Sequence, residues 1–171
     1  MINRLWHITA VIAALVGFST LAQANTMEAP SGAPILTITG DIGTTNMDDS
    51  LVLDREMLAA IDATTLQTST IWTEGVQQFE GVSLHALVAF LNVESGTIRA
   101  TAINDYTVEI PVTDAVEGGP IIAYLMDGQT MSIRDKGPLW VIYPYDSSSD
   151  YRSEVTYARS IWQLDRLEFV Q

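Results

Sequence analysis

Ile121-Ile-Ala-Tyr-Leu-Met-Asp-Gly-Gln-Thr-Met-Ser-Ile133 is the stretch on which the fold turns. Two runs, Ile121–Met126 and Thr130–Ile133, flank Asp127-Gly128. An Asp-Gly pair accepts the positive φ angles that a two-residue hairpin turn demands, so the spacing predicts an antiparallel hairpin. On its C-terminal side Leu139–Tyr143 reads as a continuous apolar strand. Pro144–Glu154 follows as a polar loop with three serines in a row, and Ser160–Val170 supplies one or two closing strands.

On its N-terminal side Thr97–Ala102 and Tyr106–Ile110 read as strands joined by a tight Asn104-Asp105 turn, and Thr113–Val116 as one helical turn. Gly81-Val82 opens a helix capped by Ser83, with Leu84, Leu87, Val88 and Leu91 on its apolar stripe. Thr65–Thr73 is rich in threonine and predicts a strand with Thr68, Thr70 and Trp72 on one face. Asp54–Asp62 predicts a short helix, with Asp54 as its cap and Met57, Leu58 and Ile61 at helical spacing. Pro34–Gly40 is a first strand stopped by glycine. Many short strands with two or three helices between them give an α+β, β-rich mixed-sheet single domain over residues 34–171.

Residues 1–24 read as a secretory signal peptide. Arg4 precedes an apolar stretch from Ile8 to Leu21, then Ala22-Gln23-Ala24 has the small-x-small pattern of a cleavage site. The apolar stretch is shorter than the roughly 20 residues a bilayer needs. The mature chain is expected to begin at Asn25 in the periplasm, with 25–33 as a flexible, Pro/Gly-marked spacer. The chain has no cysteine, so disulfides, thiolate metal sites and cysteine nucleophiles are excluded. Its net charge of −13 disfavours a phosphate backbone as partner.

Catalytic patterns are sparse. No glycine-rich phosphate loop or nucleophile elbow is present, and beyond residue 24 the one histidine, His85, falls on a helix. What remains is polar and aromatic residues at expected strand ends and loops: Trp72, Asn104-Asp105-Tyr106, Arg134-Asp-Lys136, Tyr143-Pro-Tyr145 and Arg159-Ser-Ile-Trp162. A flat aromatic face, a carboxylate and a cation together suit a planar heterocycle bearing N–H groups and a carbonyl.

The order of Trp72, Phe79-Glu-Gly-Val-Ser-Leu-His85, Asn104-Asp-Tyr-Thr-Val-Glu-Ile-Pro111, Gly128, Lys136-Gly-Pro-Leu-Trp140 and Pro144 resembles the molybdopterin-binding domain of the sulfite-oxidase fold, over about Ile35 to Val170. The family's metal-binding cysteine falls in the stretch Thr68-Ser69-Thr70-Ile71, where this chain has none, and its arginine after Gly-Pro-Leu is Trp140. A hydroxyl does not replace a soft thiolate, so molybdenum and oxidoreductase chemistry are not expected. Asn104-Asp-Tyr, Arg134-Asp-Lys-Gly-Pro-Leu-Trp and Arg159-Ser-Ile-Trp-Gln-Leu164 look more like a cysteine-less branch of small periplasmic pterin-binding proteins.

That resemblance implies non-catalytic binding of a free pterin of the neopterin or monapterin type. It also implies a partner: the periplasmic domain of a membrane diguanylate cyclase or phosphodiesterase, enzymes of cyclic di-GMP. Trp72 would wall the ring, and Asp105 would take its 2-amino and N–H edge. Arg159 or Lys136 would meet the carbonyl or side-chain hydroxyls, with Thr70, Asn104, Tyr106 and Tyr145 completing the wall. Two alternatives stand beside it: a molybdopterin-dependent oxidoreductase or its inactive relic, and a structural or interaction domain without a small-molecule ligand.

Overall fold

The computed structural model describes residues 25–171, so the expected signal peptide lies outside the described residues. In chain order they form β1 (Asn25–Thr26), β2 (Leu36–Gly40), β3 (Thr44–Thr45), β4 (Leu51–Leu53), α1 (Arg55–Ile61), β5 (Thr64–Ser69), β6 (Val76–Ser83), α2 (Leu84–Phe90), β7 (Thr97–Ala102), β8 (Thr107–Pro111), β9 (Ile121–Met126), β10 (Gln129–Thr130), β11 (Leu139–Ile142), α3 (Glu154–Arg159) and β12 (Trp162–Val170). No helix among them is long and apolar enough to cross a membrane.

The Asp-Gly turn forms as its chemistry dictates: Asp127 and Gly128 take φ of 49° and 73°, and Gln129 pairs with Met126. The second arm is shorter than expected. After Thr130 the chain leaves the ladder, and Ile133–Asp135 closes a 3-10 turn capped by the Ser132 hydroxyl. β9 then sits inside the sheet, antiparallel to β11 on one side and β6 on the other. Its Ile121, Ile122, Ala123 and Tyr124 are all buried, so both faces of this central strand are covered.

The sheet runs β4-β2-β12-β11-β9-β6-β5. β12 is its branch point. One edge pairs antiparallel with β11 and then parallel with β2, and the other pairs with β7, to which β8 is added. Parallel β2 beside antiparallel neighbours makes the sheet mixed, and with three short helices the domain is α+β. Leu58 of α1 and Leu84, Leu87 and Val88 of α2 pack with Phe79, Val82, Ile98, Val141, Leu164 and Phe169 in one apolar core. Fully burying a side chain of this kind contributes about 1.5–3 kcal/mol.

Several expectations change. The strand expected through Thr73 ends at Ser69, so Trp72 sits in a loop rather than on a strand face with Thr68. Gly81-Val82 does not open a helix but lies in β6, a strand the sequence hides. A Cβ at Gly81 would collide with the Ile122 carbonyl, so the glycine marks close approach of two strands. α2 starts at Leu84 under the expected Ser83 cap, whose hydroxyl accepts the Ala86 N–H. The polar loop from Pro144 contains a 3-10 turn, Ser149–Tyr151, and gives way to α3, so Arg159 ends a helix instead of beginning a strand. Within the 25–33 segment, Asn25–Thr26 pairs with Thr44–Thr45, and the Gly32 N–H donates to Asp54 Oδ2 at 2.8 Å.

Candidate functional site

Three segments converge where β12 begins. Gln163 takes φ 53°, and the ladder shifts register between Leu139 and Trp140 on one side and Leu164 and Arg166 on the other. Such irregularities re-aim side chains beside functional sites. Gln163 N–H donates to the Lys136 carbonyl at 3.0 Å, its carbonyl accepts Ile103 N–H at 2.9 Å, and its Nε2 donates to the Ile133 carbonyl at 2.8 Å. One residue thereby ties β12 to the 133–136 turn and to the β7–β8 loop.

Trp72 enters from the β5–β6 loop. Thr70 Oγ1 accepts the N–H groups of Trp72 and Thr73, both at 3.0 Å, and this folds the loop back over the sheet. The indole meets Trp140, Tyr145, Tyr157 and Trp162 edge-on, at centroid distances of 5.7, 6.3, 5.7 and 5.7 Å. Beneath it the polar atoms are satisfied by Ser160: Trp140 Nε1 donates to its carbonyl at 3.1 Å, and the Tyr145 hydroxyl meets its Oγ at 2.6 Å. Burial pushes the Tyr145 phenol up to about 12, so it is protonated at neutral pH.

A cavity of about 280 Å³ opens beside this cluster, near the lower bound of small-ligand pockets. Its walls include Trp72, Asn104, Tyr106, Tyr157, Trp162 and Gln163. Asn104 Oδ1 accepts the Tyr106 N–H at 3.2 Å, which fixes the turn and leaves Nδ2 with no partner among the described residues. Gln163 is the complement, with Nε2 engaged and Oε1 without a partner among the described residues.

Of the residues expected to act together, Trp72, Asn104 and Tyr106 do meet in this cavity. Lys136 lies next door, in a recess that shares Trp72, Trp162 and Gln163. Thr70 and Tyr145 border a different recess, with Asp146 and Arg152. Asp105 points away and pairs with Arg166 at 2.7 Å. Arg159 faces a separate cavity, where it holds Asp114 at 3.0 Å. The Tyr143 hydroxyl donates to that same carboxylate at 2.7 Å; burial first, then Asp114, raises the Tyr143 pKa. Gln163 and Tyr157 were missed, and Trp162, singled out by type, was given no place at the ring. Asn104-Asp105 and Trp162 were visible as residue types, but the left-handed turn at Gln163 that brings them together leaves no pattern in the sequence.

The Thr68–Ile71 stretch is closed by protein groups. Asp146 accepts the Ser69 N–H at 2.6 Å and its hydroxyl at 2.7 Å, while Asp146 N–H donates to the buried Thr68 hydroxyl at 3.2 Å. Ser69's backbone N–H, then its hydroxyl, hold the Asp146 carboxyl below the usual carboxylate range. Trp140 is fully buried against Phe79. These residues offer hard oxygens already engaged, and a soft-thiolate molybdenum centre does not fit them.

No family model and no curated protein matches the chain. Among solved structures it is similar to the sulfane dehydrogenase SoxCD from Paracoccus pantotrophus, at 17% sequence identity and a TM-score of 0.55. The likeness covers 78% of this chain and 37% of that one. At that identity the likeness shows a shared fold and nothing finer.

Proposed function

We propose that this domain binds a free pterin, without chemistry, in the cavity between Trp72, Tyr106 and Trp162. The observation that carries the reading is the pair of carboxamides at an aromatic wall. Asn104 keeps a donor and Gln163 keeps an acceptor, which together complement the carbonyl and the N–H of a pterin's lactam edge. Aromatic side chains give the ring its stacking surface. Asp105, occupied by Arg166, is replaced in this role by the two amides.

Isothermal titration of residues 25–171 with neopterin tests it. One-to-one binding in the micromolar range is expected, weakened at least tenfold by Tyr106→Ala, an exposed side chain whose loss leaves the fold intact. Absence of heat at millimolar pterin removes the reading. The associated proposals are export to the periplasm and presentation of the ligand to the periplasmic part of a membrane cyclic di-GMP enzyme. They rest on the motif resemblance and are tested by pterin-dependent co-purification of that enzyme.

One observation favours a second reading. The four edge-on contacts of Trp72 are those of a core residue in a domain without a ligand. Trp72→Ala separates the two: a core role predicts a stability loss of about 3–5 kcal/mol, whereas a ligand wall predicts lost pterin binding with the melting temperature retained.

A further inference from the structure

Cations are scarce in a chain of net charge −13, and among the described residues most are spoken for. Arg99, Arg152, Arg159 and Arg166 each lie within 4.0 Å of a carboxylate. Among the described residues Arg55, Arg134 and Lys136 do not. Two of these three stand on one turn and line one recess of about 270 Å³, beside the aromatic cavity and sharing Trp72, Trp162 and Gln163 with it. The Lys136 ammonium lies 5.4 Å from the Trp140 ring centre and 5.8 Å from that of Trp162, held on aromatic faces instead of by an acid.

Its backbone is fixed as well. Lys136 closes the 3-10 turn with φ 71°, and its carbonyl is the acceptor for Gln163 N–H. Asp135, the acid between the two cations, turns to the Ser132 hydroxyl at 2.7 Å and lines neither cavity. At physiological salt, exposed acids farther than roughly 8 Å from these cations are largely screened from them.

We infer that the ring ligand carries an anionic substituent, a carboxylate or a phosphate, which passes the Trp162–Gln163 edge of the aromatic cavity to sit between Arg134 and Lys136. This rests on the pterin reading and names the class of pterin. Arg134 supplies a planar fork of N–H donors that matches either anion, and Lys136 supplies a point charge.

Titration of residues 25–171 with 6-carboxypterin and 6-hydroxymethylpterin, which share a ring and differ in one charged group, tests it; neopterin and its phosphate form a second pair. The anionic member of at least one pair is expected to bind about tenfold more tightly at low salt. That preference should shrink in 0.3 M salt and fall to about one in the Arg134→Gln/Lys136→Gln double variant. Which pair shows it distinguishes carboxylate from phosphate. Equal affinities within both pairs, or a preference that survives the double substitution, overturn the inference and leave the pterin reading standing. No binding by any of the four removes both. A circular-dichroism melt of the double variant confirms that it folds.

Discussion

At the level of single residues the clearest division is between Trp140 and Tyr106. Trp140 is fully buried with its indole N–H satisfied, whereas Tyr106 is 58% exposed. Trp140→Ala is expected to cost about 3–5 kcal/mol in urea unfolding, and Tyr106→Ala less than about 0.5 kcal/mol. Asp146 makes a prediction in pH. Its carboxyl is held below the ordinary value of 3.8 by donors on Ser69, so the contact stabilises the fold above that value and is lost as pH falls through the lower, folded one. Amide exchange at Ser69, corrected for its intrinsic rate, should show protection retained at pH 5 and lost toward strong acid. Asp146→Asn should weaken that protection already at pH 5. Residue types alone revealed Trp72, Asn104 and Tyr106 as neighbours. They misled at Asp105 and Arg159, because which acid meets which cation depends on where Arg166 and Asp114 arrive in space.

For the elements, local chemistry was legible wherever it was sufficient. Asp54 caps α1 and Ser83 caps α2, each accepting an N–H three residues on, and Asp127-Gly128 makes its turn. Ser83→Ala should lower stability by about 1 kcal/mol, read by thermal melting with a calorimetric check. β6 and α3 escaped because their signals are tertiary. β6 carries two glutamines and a glycine whose reason is the backbone of β9, and α3 follows serines that read as loop until Ser153 is seen capping it. Gly137 belongs to the same class, since a Cβ there would strike the Met131 carbonyl. Gly137→Ala should displace the turn that holds Arg134 and Lys136, and so weaken anionic ligands more than neutral ones.

For the molecule as a whole the dominant electrostatic fact is net repulsion. With 21 acidic residues against 8 basic ones, and salt bridges that are mostly solvent-exposed, screening removes more repulsion than attraction. The melting temperature is therefore expected to rise between about 10 mM and 300 mM sodium chloride. The α+β class and the mixed sheet could be read from strand and turn signals. The branching of β12 could not, since nothing in a nine-residue run says that three other strands will share it.

That sharing imposes an order of events. β2 lies early in the sequence, yet inside the sheet its ladder partners are β4 and β12, with Thr37 opposite Arg166. β7 likewise finds its partners only in β8 and β12. Each has a local partner on one edge, but its other edge must wait for a segment made long after it, so completion of the sheet is paced by loop closure instead of by local turns. A nascent chain caught short of Trp162 would present two open sheet edges, one on β2 and one on β7, each free to pair with a foreign strand until the closing one arrives.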